Sequence, residues 1–148
     1  MKDTFIKLFT LIAPKRPQAE IQKMSDEMVL AHQKSFDEFE QAFLNELISY
    51  HVAQEFDDSA SLDDIIFNLR KLVIDNHIDV NMMADEMDEN TIADDMLKQV
   101  ATVFRKQGWQ VCEFDKHPKH YDLCVIPLAS KSELESLISK LGLYVQFF

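Results

Sequence analysis

Apolar residues recur every three or four positions through the first two-thirds of the chain, the period of an α-helix with one buried face. Phe5, Leu8, Phe9 and Ile12 predict a helix over residues 3–13, and "PKRP" stops it because proline lacks an amide proton and disfavours helix in the residue before it. Pro17 leads into a second helix, about 18–33, with Ile21, Met24, Met28 and Ala31 on its apolar face. Ser35 followed by Glu38 is a capping box, in which each side chain serves a backbone amide of the other. From it a third helix is predicted through about Gln54, with Phe36, Phe39, Phe43, Leu47 and Ile48 aligned. "EFDDSASLDD" interrupts, and Ser61 with Asp64 opens a fourth helix whose stripe is Leu62, Ile65, Ile66, Leu69, Leu72 and Val73. Asn76 ends it. "IDVNMMADEMDEN", residues 78–90, reads as an irregular connector because Asp, Asn and Glu are poor strand formers. Thr91 with Asp94 caps a fifth helix carrying Ile92, Met96, Val100, Val103 and Phe104, and Gly108 closes it.

At Trp109 the period changes. "WQVCEF" and "YDLCVIP" are rich in β-branched, aromatic and cysteine residues, and they flank "DKHPKH" as the strands of a hairpin centred near Pro118. Ser130 or Ser132 starts a last helix with Leu134, Leu137, Ile138 and Leu141, Gly142 ends it, and "LYVQFF" supplies a final strand. A crossover through a helix returns the next strand parallel to the one before it. The expected fold class is therefore α+β: a mostly helical N-terminal two-thirds packed on one face of a small mixed three-stranded sheet. One domain spans 1–148, divided into helical 1–76, an acidic connector 77–90 and an α-β-β-α-β unit 91–148.

Composition supports this and adds a charge argument. The 148 residues are 47% hydrophobic, enough for a sizeable core, and two glycines with four prolines leave few tight turns for an all-β fold. The net charge of -11 is regional. Residues 35–97 hold 17 acidic residues against Arg70 and Lys71, whereas the remainder holds 9 acidic and 13 basic, so the middle carries -15 and the rest +4. Such a field repels nucleic acid and anionic membrane surfaces and steers a basic protein inward. "FIKLFTLIA" is too short to span a bilayer, and no cleavable leader is legible; a cytoplasmic protein with reduced cysteines is expected.

Three kinds of site chemistry bear on the sequence. A calcium loop from Asp79 places Met83 and Ala84 where an oxygen ligand and the turn glycine belong, and one from Asp75 places Val80 at the glycine. Both fail at the turn. Cys112, His117, His120 and Cys124 form C-x4-H-x2-H-x3-C, a set that could in principle hold zinc, with the cysteines opposed across the hairpin and the histidines crowning its loop. Against this, buried strand cysteines commonly serve as small hydrophobes, so two core thiols and two loop histidines is the expected arrangement. No Gly-rich phosphate loop, Gly-x-Ser-x-Gly or His-Glu-x-x-His occurs, and adjacent Asp94 and Asp95 point to different sides of a helix. Neither an enzyme nor a cofactor is expected.

The stretches "IDVNMMADEMDENTIADDMLKQVATVFRKQGWQV" and "HYDLCVIPLASKSELESLISKLG" resemble a class of small acidic bacterial proteins of unassigned function, over residues 62–148. The small, acidic, α+β profile without catalytic motifs is also similar to bacterial immunity proteins, a likeness that transfers no functional residue. A non-catalytic protein-binding domain follows as the expectation, most specifically an immunity protein against a basic toxin. The carboxylates expected to meet the partner are Asp57, Asp58, Asp63, Asp64, Asp79, Asp85, Glu86, Asp88, Glu89, Asp94 and Asp95. The alternatives are a cytosolic regulatory or housekeeping domain whose acidity serves solubility, and a zinc protein built on the 112–124 hairpin.

Overall fold

In a computed structural model that describes residues 1–82, 93–117 and 119–148, six helices enclose a four-stranded sheet. The elements are α1 (Lys2–Ile12), α2 (Gln18–His32), α3 (Phe36–Ser49), β1 (Gln54–Asp57), α4 (Leu62–Asp75), α5 (Ala93–Lys106), β2 (Trp109–Glu113), β3 (His120–Pro127), α6 (Lys131–Leu141) and β4 (Gln146–Phe147). Local signals set most of these bounds. Both capping boxes form, Ser35 with Glu38 and Ser61 with Asp64, and Asn76 follows the last turn of α4. Gly108 and Gly142 take the positive φ that ends α5 and α6 without cost to a Cβ. The proposed Thr91 cap, Ile92, Pro118 and most of the acidic connector lie outside the described residues. No described helix is long and apolar enough to cross a membrane.

The sheet corrects the expectation in two ways. Its order is β1-β3-β2-β4 and every pairing is antiparallel, so it is four-stranded and unmixed. β4 does run parallel to β3, as the crossover requires, but β2 lies between them and takes the hydrogen bonds. The extra strand, β1, comes from the stretch read as the tail of α3 and a break. α3 stops at Ser49, and His51 turns the chain with a φ of 57°. Its buried stripe is Phe39, Phe43, Leu44 and Leu47, whereas Phe36 remains 48% exposed beside Gly142.

Helices also cover both faces of the sheet. On one side Cys112, Phe114, Cys124 and Ile126 join the cores of α1, α2, α3 and α6. On the other, Val111, Leu123 and Val125 meet Ile65, Leu69 and Leu72 of α4 and Leu97, Val100 and Phe104 of α5. The reason is in β3, where Asp122 through Ile126 are consecutively buried, and a strand buried on both faces needs two covering layers. The last residue is anchored as well: Gln110 Nε2 donates to the Phe148 carbonyl at 2.8 Å, and Arg105 donates to the same oxygen.

One ionisable contact lies between α2 and α3. The Glu46 carboxyl is pushed up to about 8, first by burial, then by a shared hydrogen bond with Glu27 and by its charge, with Lys23 pulling the other way. Tyr50, one turn on, is raised too, chiefly by burial. A group whose folded pKa lies above its ordinary value of 4.5 takes up a proton on folding, so its stabilising contribution is full below that value and is lost as pH rises through about 8. Thermal stability is therefore expected to fall between about pH 5 and about pH 8.5, and Glu46→Gln should make that slope shallower, the remainder coming from the raised carboxyls of Glu113 and Asp122. Calorimetric melting of both proteins across the range checks it; equal slopes would contradict the assignment.

Candidate functional site

The end of the sheet where β2 runs into β3 gathers the most unusual polar groups. Pairing of β1 with β3 sets Glu55 directly opposite Asp122 and Asp57 opposite His120. Opposed residues in a ladder share a face, and residues two apart on a strand do too, so Glu55, Asp122 and His120 converge. Their ligand atoms all lie within 4.8 Å of one another. Asp122 is only 2% exposed, and its Oδ1 has no hydrogen-bond partner among the described residues. Asp115, just after β2, accepts from the His117 backbone amide at 2.9 Å, and its Oδ2 lies 2.6 Å from His120 Nε2. The rings of His117 and His120 stack with centroids 4.1 Å apart.

These groups border a cleft of about 560 Å³ whose other wall is α3, through Asp37, Glu40, Gln41, Leu44, Asn45 and Ile48. Lys116 spans it to Glu40 at 3.5 Å. Crowded negative charge shows in the carboxyls. Asp122 is pushed up to about 7, by burial first and then by Asp115 and Glu55, with His120 opposing. Glu113, on the opposite face, is pushed up to about 8 by burial and by Asp115, Asp122 and Asp94. Burial would raise Asp115 as well, yet hydrogen bonds from His117 and His120 hold it below the usual range.

The carboxylates proposed from sequence divide between two ends of the molecule. Asp57 and Asp58 are exposed at the end of β1, and Asp63 and Asp64 are exposed in the first turn of α4 just beyond. Asp57 is partly committed to a turn, accepting from Ser59 N at 3.0 Å, and Asp64 to its capping box. Asp94 and Asp95 open α5; Asp94 pairs with Lys98 at 2.8 Å and its charge reaches Glu113 and Tyr121. Asp79 lies elsewhere. Its carbonyl accepts from Trp109 Nε1 at 3.1 Å, which puts it at the Trp109–Pro127 end of the hairpin. That is the full length of β3 away, roughly 23 Å at 3.3 Å per residue. Asp85, Glu86, Asp88 and Glu89 lie outside the described residues.

The Cys112, His117, His120, Cys124 set does not converge. Cys112 and Cys124 are opposed in the ladder, as the hairpin symmetry predicted, but both are fully buried free thiols raised well above the usual range by burial. His120 lies four residues down the strand, about 13 Å from Cys124. The thiols therefore belong to the core and the imidazoles to the cleft. Glu55, Glu113, Asp115 and Asp122 were not singled out from sequence. An aspartate inside an otherwise apolar strand, as in "YDLCVIP", was the one signal that pointed to Asp122.

No curated protein and no solved structure matches the chain. A family model described as a domain of unknown function, DUF6630, matches residues 4–148, and the chain therefore belongs to that family.

Proposed function

We propose that this chain is a non-catalytic binding domain whose acidic hairpin end receives a cationic surface of a partner protein. The observation that carries the reading is the convergence of carboxylates from β1, the start of α4, the start of α5 and the hairpin, with Lys98 committed to Asp94 and Lys116 to Glu40. Lysines and arginines of a partner would relieve that repulsion, and charge complementarity of this kind raises association rate and specificity. The most specific form is an immunity protein that neutralises a basic bacterial toxin in the cytoplasm, a form supported by the small acidic α+β profile.

The test compares wild type with Asp58→Asn/Asp63→Asn/Asp95→Asn, three exposed positions that supply no capping side chain and no close ion pair among the described residues. A basic protein captured from the native host by the wild type is expected to bind the variant about tenfold more weakly, from three rim charges worth about half a kcal/mol each. Equal binding of the same protein to both would remove the acidic end from the interface.

A further inference from the structure

We propose that Glu55, His120 and Asp122 form a binding site for a divalent first-row transition-metal ion of the zinc or manganese class. This goes beyond the partner-binding reading and does not depend on it. Three observations combine. The donor atoms already lie within 4.8 Å of one another, while tetrahedral coordination at ~2.0–2.1 Å requires separations of about 3.3 Å. Glu55 is exposed and free to swing, so the set closes by side-chain rotation without moving the strands.

Asp122 supplies the second observation. Its side chain is buried and lines the cleft, and although the carboxyl shares a hydrogen bond with Asp115, its Oδ1 has no hydrogen-bond partner among the described residues. A buried carboxylate oxygen without a partner is costly, and a bound cation satisfies it. Nearby Lys116 reaches to Glu40 instead. Third, His120 is positioned before any ion arrives: Asp115 Oδ2 lies 2.6 Å from its Nε2 and the His117 ring stacks on it. A carboxylate against a ligating imidazole fixes the ring and raises its basicity. The cleft provides the entry path, and three protein donors leave at least one coordination position for water or for an incoming group.

The donor chemistry selects the metal. An imidazole with two carboxylates suits zinc, iron or manganese, whereas calcium and magnesium favour oxygen donors alone. Zinc should therefore bind more tightly than manganese, and both more tightly than calcium.

Titration calorimetry of the full chain with Zn²⁺, Mn²⁺ and Ca²⁺ tests this beside Glu55→Gln and His120→Gln, with circular dichroism to establish that each variant is folded. The expected result is one Zn²⁺ per wild-type chain, bound at least about tenfold more tightly than Ca²⁺, with each variant losing about tenfold or more of that affinity. Broadening of the His120 ring resonances by substoichiometric Mn²⁺ provides a readout at the site itself. Asp58→Asn/Asp63→Asn/Asp95→Asn should bind Zn²⁺ as wild type does, which separates this site from the partner surface. Absence of saturable Zn²⁺ binding up to about 1 mM, weaker than about -4 kcal/mol, would overturn the proposal. So would unchanged affinity in both folded variants, or Ca²⁺ binding as tightly as Zn²⁺.

Discussion

Phe43→Ala is expected to cost about 3–5 kcal/mol, a large part of the total stability of a domain this size. Phe43 is 1% exposed in the middle of α3. Its ring meets Phe9 of α1 at 6.2 Å between centroids and Phe114 edge-on at 5.3 Å. Truncation removes the transfer free energy of the ring and leaves a cavity between two helices and the sheet, whose walls relax only partly. The effect should also reach the site, because Phe114 directly precedes Asp115, whose carboxylate holds His120. Urea unfolding should show a lower midpoint with an unchanged slope, and amide exchange should quicken around residues 115–117. Phe43→Leu, which refills much of the volume, should cost less on both counts.

Asn76→Ala is expected to destabilise by about 2–4 kcal/mol, more than loss of an ordinary helix cap. The 7%-exposed side chain ties three connections together. Its Nδ2 donates to the His51 and Leu72 carbonyls at 2.8 Å each, and its Oδ1 accepts from Arg16 Nε at 3.0 Å. Arg16 donates in turn to the Tyr50 carbonyl. The joints after α1, α3 and α4 are thus fixed by one amide and one guanidinium. Removing the amide leaves the Arg16 Nε donor and the His51 carbonyl short of partners, while the Leu72 carbonyl keeps the backbone amide of residue 76, and the orphaned groups cost more than the bonds themselves contributed. Arg16→Ala should be destabilising too, and Arg16→Ala/Asn76→Ala should cost less than the sum of the two in urea unfolding, since each single change already breaks the shared contact. Strict additivity would show that the two residues act separately.

Much of the architecture was legible because it is decided locally. Ser35 with Glu38 and Ser61 with Asp64 announce helices within four residues, and the equal spacing of Cys112 and Cys124 about position 118 fixes their opposition in the hairpin. What failed was decided by partners distant in sequence. "QEFD" carries two acids in four residues and has weak strand propensity; it becomes β1 because β3 offers it a free ladder edge. The second helical layer had a visible cause, the unbroken apolar run of "LCVI", which alternation for a one-sided sheet would not produce. The candidate site was the least legible part, since Glu55 meets Asp122 only through that unforeseen strand pairing. Chain composition located the negative charge but not its division, with Asp79 at one end of the hairpin and Asp57, Asp58, Asp94 and Asp95 gathered toward the other.

The central claim, that the acidic hairpin end steers a cationic partner, is tested most directly by stopped-flow association with the captured protein across ionic strength. For the wild type the account predicts a rate constant falling about tenfold or more between roughly 0.01 M and 0.15 M salt, as the screening length shrinks from about 30 Å to about 8 Å. Asp58→Asn/Asp63→Asn/Asp95→Asn should start slower and depend less on salt. Rates that are the same for both proteins and flat across that range would contradict it.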